Sequence, residues 1–237
     1  MKKVITVWKK EALGHATSLR SYVMLSLTFA FTAVWFFLIN LWQVREASLR
    51  GVMVFVAFIL LAITPIVTMR TIAEERSGGT LEMLLTSPVR DFDIVLGKFL
   101  GAFTLYVVFF ALTLVFPFVL FSVGSPEKGP LFTQYLGMLL ASAAFVSVGL
   151  FASSVTESQM IAALVGYILL LGFWVVGMFA SILPGTSGAI ARGVALSQHL
   201  DNFAKGVVDA VDLYYYVAFT GIFLFLTWRA LEARRWA

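Results

Sequence analysis

The sequence predicts an all-α integral membrane protein with six transmembrane helices. Hydrophobic residues fill 60% of the 237 positions and charged residues only 13%, and the mean hydropathy is +0.94, a balance far from that of a soluble domain. The long uncharged runs are continuously apolar and do not alternate between apolar and polar residues. Because a backbone in lipid must satisfy its own hydrogen bonds, such runs are typical of helices.

Six uncharged runs have, or nearly have, the roughly 20 residues that a helix needs to cross a bilayer. We predict membrane spans over residues 21–42, 51–70, 97–122, 133–153, 159–183 and 213–230. The last span is the shortest. It is bounded by Tyr214, Tyr215, Tyr216 and Trp228, and such aromatic residues suit the headgroup layers of a membrane.

The positive charges predict the orientation of the chain. Twelve lysines and arginines lie in the N-terminal segment, the loop after span two and the C-terminus, against five on the other side. Since such residues accumulate in the cytoplasm, we expect both termini there and the protein in a cell inner membrane. Contact with anionic lipid accounts for the net charge of +4, so the composition gives no reason to expect a nucleic-acid partner.

Residues 1–20 are predicted to form an amphipathic helix in the membrane interface. Ile5, Trp8, Ala12 and Leu19 would share one helical face while the lysines fall largely elsewhere, as in interfacial helices. The alternative is a basic anchor that sets the topology and has no further role.

An external segment, residues 184–212, is predicted to contain partial helices. It opens with a turn-prone cluster at 184–188 and continues through short amphipathic pieces. Non-helical backbone at membrane depth needs cover from protein, so we expect this segment against the outer ends of the spans.

The densest polar stretch lies in residues 71–96, on the predicted cytoplasmic side. Gly78 and Gly79 are expected to end the helix that continues from span two. Thr80 can cap a new short helix with Glu82 in its first turn, and Pro88 would stop that helix.

This short cytoplasmic helix carries an apolar stripe of Leu81, Leu84 and Leu85. A helix with such a ridge and flanking acids is suited to docking in a groove of another protein. The alternative is a simple connection between two spans.

One set of residues in and after this stretch carries a family resemblance: Glu74, Glu75, Gly79, Thr80, Leu81, Glu82, Leu84, Leu85, Pro88, Gly97 and Lys98. The pattern resembles the conserved cytoplasmic loop of ABC-2 type permeases of ABC transporters. The external stretch 197–209 resembles the subgroup of gliding-motility permeases and the permease of nitrous-oxide-reductase maturation.

The resemblance implies a permease subunit that couples ATP hydrolysis by a separate ATP-binding subunit to export or to conformational work. That partner would hold ATP and Mg, because this sequence contains no phosphate-binding loop. No cofactor, metal or catalytic residue is therefore expected in this chain. Further expected partners are a second permease copy in a homodimer, membrane lipid and an auxiliary membrane or periplasmic subunit.

The same resemblance makes the short helix a coupling helix that docks on the ATP-binding subunit. Its docking residues would be Glu74, Glu75, Arg76, Gly79, Thr80, Leu81, Glu82, Leu84, Leu85 and Pro88. Arg76 and the acids would orient the helix through charge-assisted contacts.

Three other functions were weighed. A secondary transporter usually holds ionisable residues inside the membrane, and the six cores are expected to hold none. An intramembrane enzyme would need a nucleophile and a base, but His15 and His199 are predicted on opposite sides of the membrane. The third alternative is a scaffold that transmits force and moves no solute.

Two local patterns concern helix packing. Gly97 and Gly101 form a Gly-x-x-x-Gly pair that permits close helix approach, either within the chain or in a dimer. Pro65 and Pro117 are predicted to kink spans two and three.

Overall fold

The computed structural model describes residues 2–44, 48–80, 89–180, 182 and 184–235. Regular structure in this part of the chain is helical throughout. The helices are α1 (Lys2–Thr17), α2 (Leu19–Val34, continued by a π-helical segment, Trp35–Val44), α3 (Arg50–Thr68), α4 (Ala73–Ser77), α5 (Asp91–Thr113), α6 (Val115–Val123), α7 (Lys128–Val155), α8 (Gln159–Ala180), α9 (Gly185–Val194), α10 (Leu196–Ala204) and α11 (Ala210–Arg235).

Six helical stretches of the described chain are long and apolar enough to cross a membrane, which confirms the predicted all-α membrane class. They are Leu19–Leu38, Arg50–Ser77, Asp91–Val123, Lys128–Val155, Gln159–Ala180 and Ala210–Ala233. The third stretch begins six residues before the predicted span, within the segment assigned to the cytoplasmic loop. Asp91 and Asp93 lie in its first turn, where negative charge is favoured by the helix dipole.

Helix α7 is the centre of the bundle. It packs against α3, α5, α8, α10 and α11, and most of its apolar residues are buried. Small residues permit this packing: a Cβ added at Gly149 would lie 2.0 Å from the hydroxyl oxygen of Thr68 on α3. Close approach of backbones is the usual way in which membrane helices gain packing energy.

The two membrane prolines affect their helices differently. Pro65 lies inside α3, and the helix continues to Thr68. The third span is interrupted at Leu114, between α5 and α6. Pro117 is the third residue of α6, where the amide hydrogen that proline lacks is not needed by the helix.

Helix α1 packs along the beginning of α5. A Cβ at Gly97 would lie 2.6 Å from the side chain of Val7, and one at Gly101 would lie 2.4 Å from Glu11 Cβ. Trp8 Nε1 donates to Thr104 Oγ1 at 2.9 Å. The glycine pair therefore serves a helix contact within the chain.

The residues of the predicted apolar face lie on two helices. Helix α1 ends at Thr17 and Leu19 begins α2, so the two ends of the proposed face belong to different helices. Ile5 is 47% exposed because the packed face runs through Val7, Trp8 and Glu11.

Helices α9 and α10 occupy the predicted external segment and pack on α7 and α8. Phe203 of α10 is fully buried, and a Cβ at Gly137 would lie 2.4 Å from its Cβ. Thr133 Oγ1 and Gln134 Nε2 donate to the carbonyl groups of Phe203 and Ala204 at 3.2 and 3.0 Å. Side chains of α7 thus bind the last carbonyl groups of α10, and the Phe203 carbonyl also accepts from the Gly206 amide.

Candidate functional site

The candidate site lies at one membrane end of the bundle, which we call the basic face. This face comprises α1, the turn at 69–72, α4, the first turns of α5 and the connection at 156–158 between α7 and α8. Five of the predicted docking residues are described there: Glu74, Glu75, Arg76, Gly79 and Thr80. The other five, Leu81, Glu82, Leu84, Leu85 and Pro88, lie outside the described residues.

Helix α4 is a single short helix with a well-capped end. Gly79 follows it with a φ of 69°, a left-handed conformation that glycine adopts without strain. Ser77 Oγ donates to the Glu74 carbonyl at 3.1 Å, and Thr80 Oγ1 donates to the Glu75 carbonyl at 3.1 Å. The hydroxyl of Thr80, predicted to cap the following helix, thus contacts the end of α4.

The turn at 69–72 is held to α7 by one hydroxyl group. The backbone amides of Ile72 and Ala73 donate to Ser153 Oγ at 3.1 and 3.0 Å, and Ser153 Oγ donates to the Met69 carbonyl at 3.0 Å. Ser153 is fully buried. A buried amide without a partner is costly, so this serine stabilises the break between α3 and α4.

The same turn is held to α5 and α1 by Lys98. Its ammonium group donates to Glu11 Oε1 at 2.9 Å and to the Thr71 carbonyl at 2.7 Å. Glu75 Oε2 lies 2.8 Å away, close enough for an ion pair although not aligned as a hydrogen bond. Lys98 is 1% exposed, and a buried charge of this kind requires such partners.

Lys98 lies at the edge of a predicted membrane core. It is the eighth residue of α5 and is buried at the end of the third span that belongs to the basic face. Its carboxylate partners come from α1 and α4, far away in the sequence. Its role in the structure is to hold three segments together at the basic face.

Two of the predicted docking charges are engaged within the chain. The Glu75 carboxylate contacts Lys98 and lies 3.7 Å from Lys10 Nζ. Arg76 lies 2.5 Å from Glu157, in the connection between α7 and α8. Glu74, in contrast, has a side chain that is 57% exposed and lies 4.0 Å from Arg70.

Together these contacts form what we call the joint: Glu11, Lys98, Ser153, the turn at 69–72 and α4. The joint connects α4 to α1, α5 and α7 through side chains that are largely buried. Because packed elements with satisfied polar groups move together, displacement of α4 would be transmitted to those three helices.

Two members of the joint, Glu11 and Ser153, were missed from the sequence, as was Glu157, which pairs with Arg76 of α4. Glu11 is the only acidic residue of α1, which is a usable signal for an internal pair with a buried lysine. Ser153 is one of several serines in α7, and its pattern alone does not distinguish it.

The two histidines make structural contacts on opposite faces. His15 lies 3.4 Å from Ser21 Oγ at the basic face. His199, in α10, lies 2.6 Å from Asp212 Oδ1 and stacks on Tyr215. Each contact holds neighbouring helices together.

Comparisons with known proteins find similarity to membrane proteins of ABC transporters. A family model described as ABC-2 family transporter protein matches residues 38–227. Two curated proteins, named Probable multidrug ABC transporter permease YbhR in Escherichia coli K12 and in Escherichia coli O157:H7, are each 35% identical over 94 residues. These residues are 40% of this chain and 25% of each relative, so the match spans only a quarter of those proteins.

Proposed function

Because the chain belongs to the ABC-2 family of transporter membrane proteins, we propose that it works as the permease of an ATP-driven complex. A separate ATP-binding subunit would supply the hydrolysis of ATP with Mg, and this chain would turn that energy into export or conformational work. The observation that carries the proposal is that α4 is exposed on its outer side at the basic face while the joint holds it to α1, α5 and α7.

The docking element would be α4 with the residues that follow it. Glu74, Ser77, Gly78, Gly79 and Thr80 are exposed, while the joint fixes the base of the element. The predicted apolar stripe of Leu81, Leu84 and Leu85 would fill a groove of the ATP-binding subunit. Glu75 and Arg76 would act mainly by holding α4 in place, since both are bound within the chain.

In the proposed mechanism, closure of the ATP-binding subunits on ATP pushes the docking element. The joint passes this push to α5 and α7 through Lys98 and Ser153, and to α1 through Glu11. The spans then shift relative to one another, as in other transitions in which packed helices slide.

The wider assembly is also a proposal. Six spans favour pairing of two copies, and the charge asymmetry supports a cell inner membrane with both termini in the cytoplasm. The stretch 197–209 supports the subgroup of gliding-motility and nitrous-oxide-reductase-maturation permeases, in which an auxiliary subunit would be present. The largely uncharged spans favour a hydrophobic cargo, in keeping with the word multidrug in the names of the relatives.

Affinity purification from native membranes tests this function. The gently solubilised chain should bring down an ATP-binding subunit, and Glu74→Lys should reduce its recovery because the exposed carboxylate faces the partner. Glu127→Lys is the matched control, since Glu127 is exposed before α7 at the opposite end of the bundle. Recovery of the wild-type chain alone, or equal recovery of the partner with both variants, would contradict the proposed docking.

A further inference from the structure

A cleft of about 640 Å³ opens on the basic face between α1, α2 and the end of α3. Its lining has two different parts. One part is apolar and includes Val23, Met24, Ile66, Val67 and Met69. The other is polar and basic, so the cleft suits an amphiphilic ligand.

The basic part of the cleft has two arginines. Arg20 and Arg70 both line it, and Arg20 is exposed. The Nε atom of Arg70 is buried and has no hydrogen-bond partner. A buried donor without a partner is costly, and an acceptor inside the cleft would remove this cost.

The start of α2 adds a second source of positive potential. Ser18, Leu19, Arg20 and Ser21 all line the cleft. The side chain of Ser18 makes no capping hydrogen bond, and the first turn of α2 contains no acidic residue. The amide groups of an uncapped helix start attract anions, phosphate in particular.

Three acidic residues also line the cleft, and each of them has a basic partner. Glu11 and Glu75 are both bound to Lys98. Glu74 lies 4.0 Å from one terminal nitrogen of Arg70 and is largely exposed. The Nε atom of Arg70 makes no hydrogen bond, and the carboxylate of Glu74 approaches only a terminal nitrogen of this side chain.

The apolar part of the cleft meets the surface of α2. Val23 is 55% exposed and Leu27, one turn further into the span, is 48% exposed. On a membrane span such side chains face hydrocarbon. A ligand in the cleft would thus have its charged end at the start of α2 and its apolar end in the bilayer.

We propose that this cleft binds one anionic glycerophospholipid from the leaflet on the basic side. The phosphate lies between Arg20, Arg70 and the start of α2, and the acyl chains follow Val23 and Met24 into the bilayer. Arginine suits this role because its planar group donates two parallel hydrogen bonds to phosphate. A soluble anion would leave the apolar half of the cleft unused. Glu74 of the proposed docking element also lines the cleft, but the test below measures lipid on this chain without an ATP-binding subunit, so the two proposals can fail separately.

Native mass spectrometry of the whole chain, released from nanodiscs that contain phosphatidylglycerol and phosphatidylcholine, tests the site. The wild type should retain one phosphatidylglycerol per chain. Arg20→Gln with Arg70→Gln should weaken retention about tenfold for each charge-assisted contact removed. Arg90→Gln with Arg229→Gln is the control, because it removes the same charge from exposed residues outside the cleft.

A second variant narrows the cleft and keeps its charges. Gly14 lines the cleft, and a Cβ there would meet no atom within 4 Å, so Gly14→Leu should fold and still reduce lipid retention. Equal phosphatidylglycerol retention in wild type, Gly14→Leu and the arginine variant would overturn the proposal. So would equal retention of phosphatidylcholine, or full displacement of the lipid by inorganic phosphate.

Discussion

Removal of the buried ammonium group of Lys98 is the most direct perturbation of the joint. Lys98→Met keeps the length and apolar stem of the side chain. It leaves Glu11 and Glu75, which are 18% and 19% exposed, without their main counter-ion. The Thr71 carbonyl also loses its donor.

The expected cost follows from this geometry. Loss of one partner from a buried ion pair typically destabilises a protein by about 3–5 kcal/mol, because the other charge stays buried and unpaired. The two carboxylates here are partly solvated, so we expect about 3 kcal/mol. The cost should fall on the contact between α4, α1 and α5, and the centre of the bundle around α7 should be affected less.

Cysteine labelling can measure this local opening. The chain contains no cysteine, and Ala73 at the start of α4 is fully buried. The maleimide labelling rate of an Ala73→Cys chain should rise by about two orders of magnitude with Lys98→Met, as the estimated cost implies. Thermal unfolding of the same proteins gives the global effect.

A charge-neutral triple variant provides the control. When Glu11→Gln and Glu75→Gln accompany Lys98→Met, no buried charge is left unpaired, and most of the protection of Ala73→Cys should return. The reasoning is refuted if Lys98→Met labels no faster than the parent, or if the triple variant is as open as the single one.

The remaining predictions concern the neighbouring contacts. Ser153→Ala leaves the two amides of the turn without a partner and should lower the free energy of unfolding by about 2 kcal/mol or more. Ser142 donates only within α7, so Ser142→Ala should cost much less. Equal effects of the two variants would contradict the role of Ser153. Gly101→Leu should displace α1 and raise its proteolysis, whereas Gly172→Leu meets open space and should not; a protected α1 in the first variant would argue against the packing. Burial lowers the pKa of His15 below 6.5, although Glu11 raises it, so the unfolded chain binds a proton first as pH falls. Thermal stability should therefore drop below about pH 6.5, and a wild-type profile identical to that of His15→Gln would contradict this.

The spans were predictable because lipid imposes a simple rule on sequence. Each crossing needs an uncharged apolar run, and those runs are visible without any knowledge of packing. The same rule explains one error. Asp91 and Asp93 were assigned to a loop because they are charged, but a helix can begin with acids outside the hydrocarbon.

The joint was not predictable because its contacts join distant parts of the chain. Lys98 meets Glu11 across 87 positions, and Ser153 meets the amide of Ile72 across 81. No periodicity links such residues. The contact of α1 with α5 was not predictable for the same reason, since glycines on α5 determine which residues of α1 pack closely.

Photo-cross-linking from Glu74 tests the central claim most directly. A benzophenone maleimide attached to Glu74→Cys, in a chain with no other cysteine, would sample what touches α4 in native membranes. We predict an adduct with an ATP-binding subunit, and none from Glu127→Cys on the opposite face. An adduct from both positions, or no adduct with such a subunit from Glu74→Cys, would contradict the proposal that α4 is the docking element.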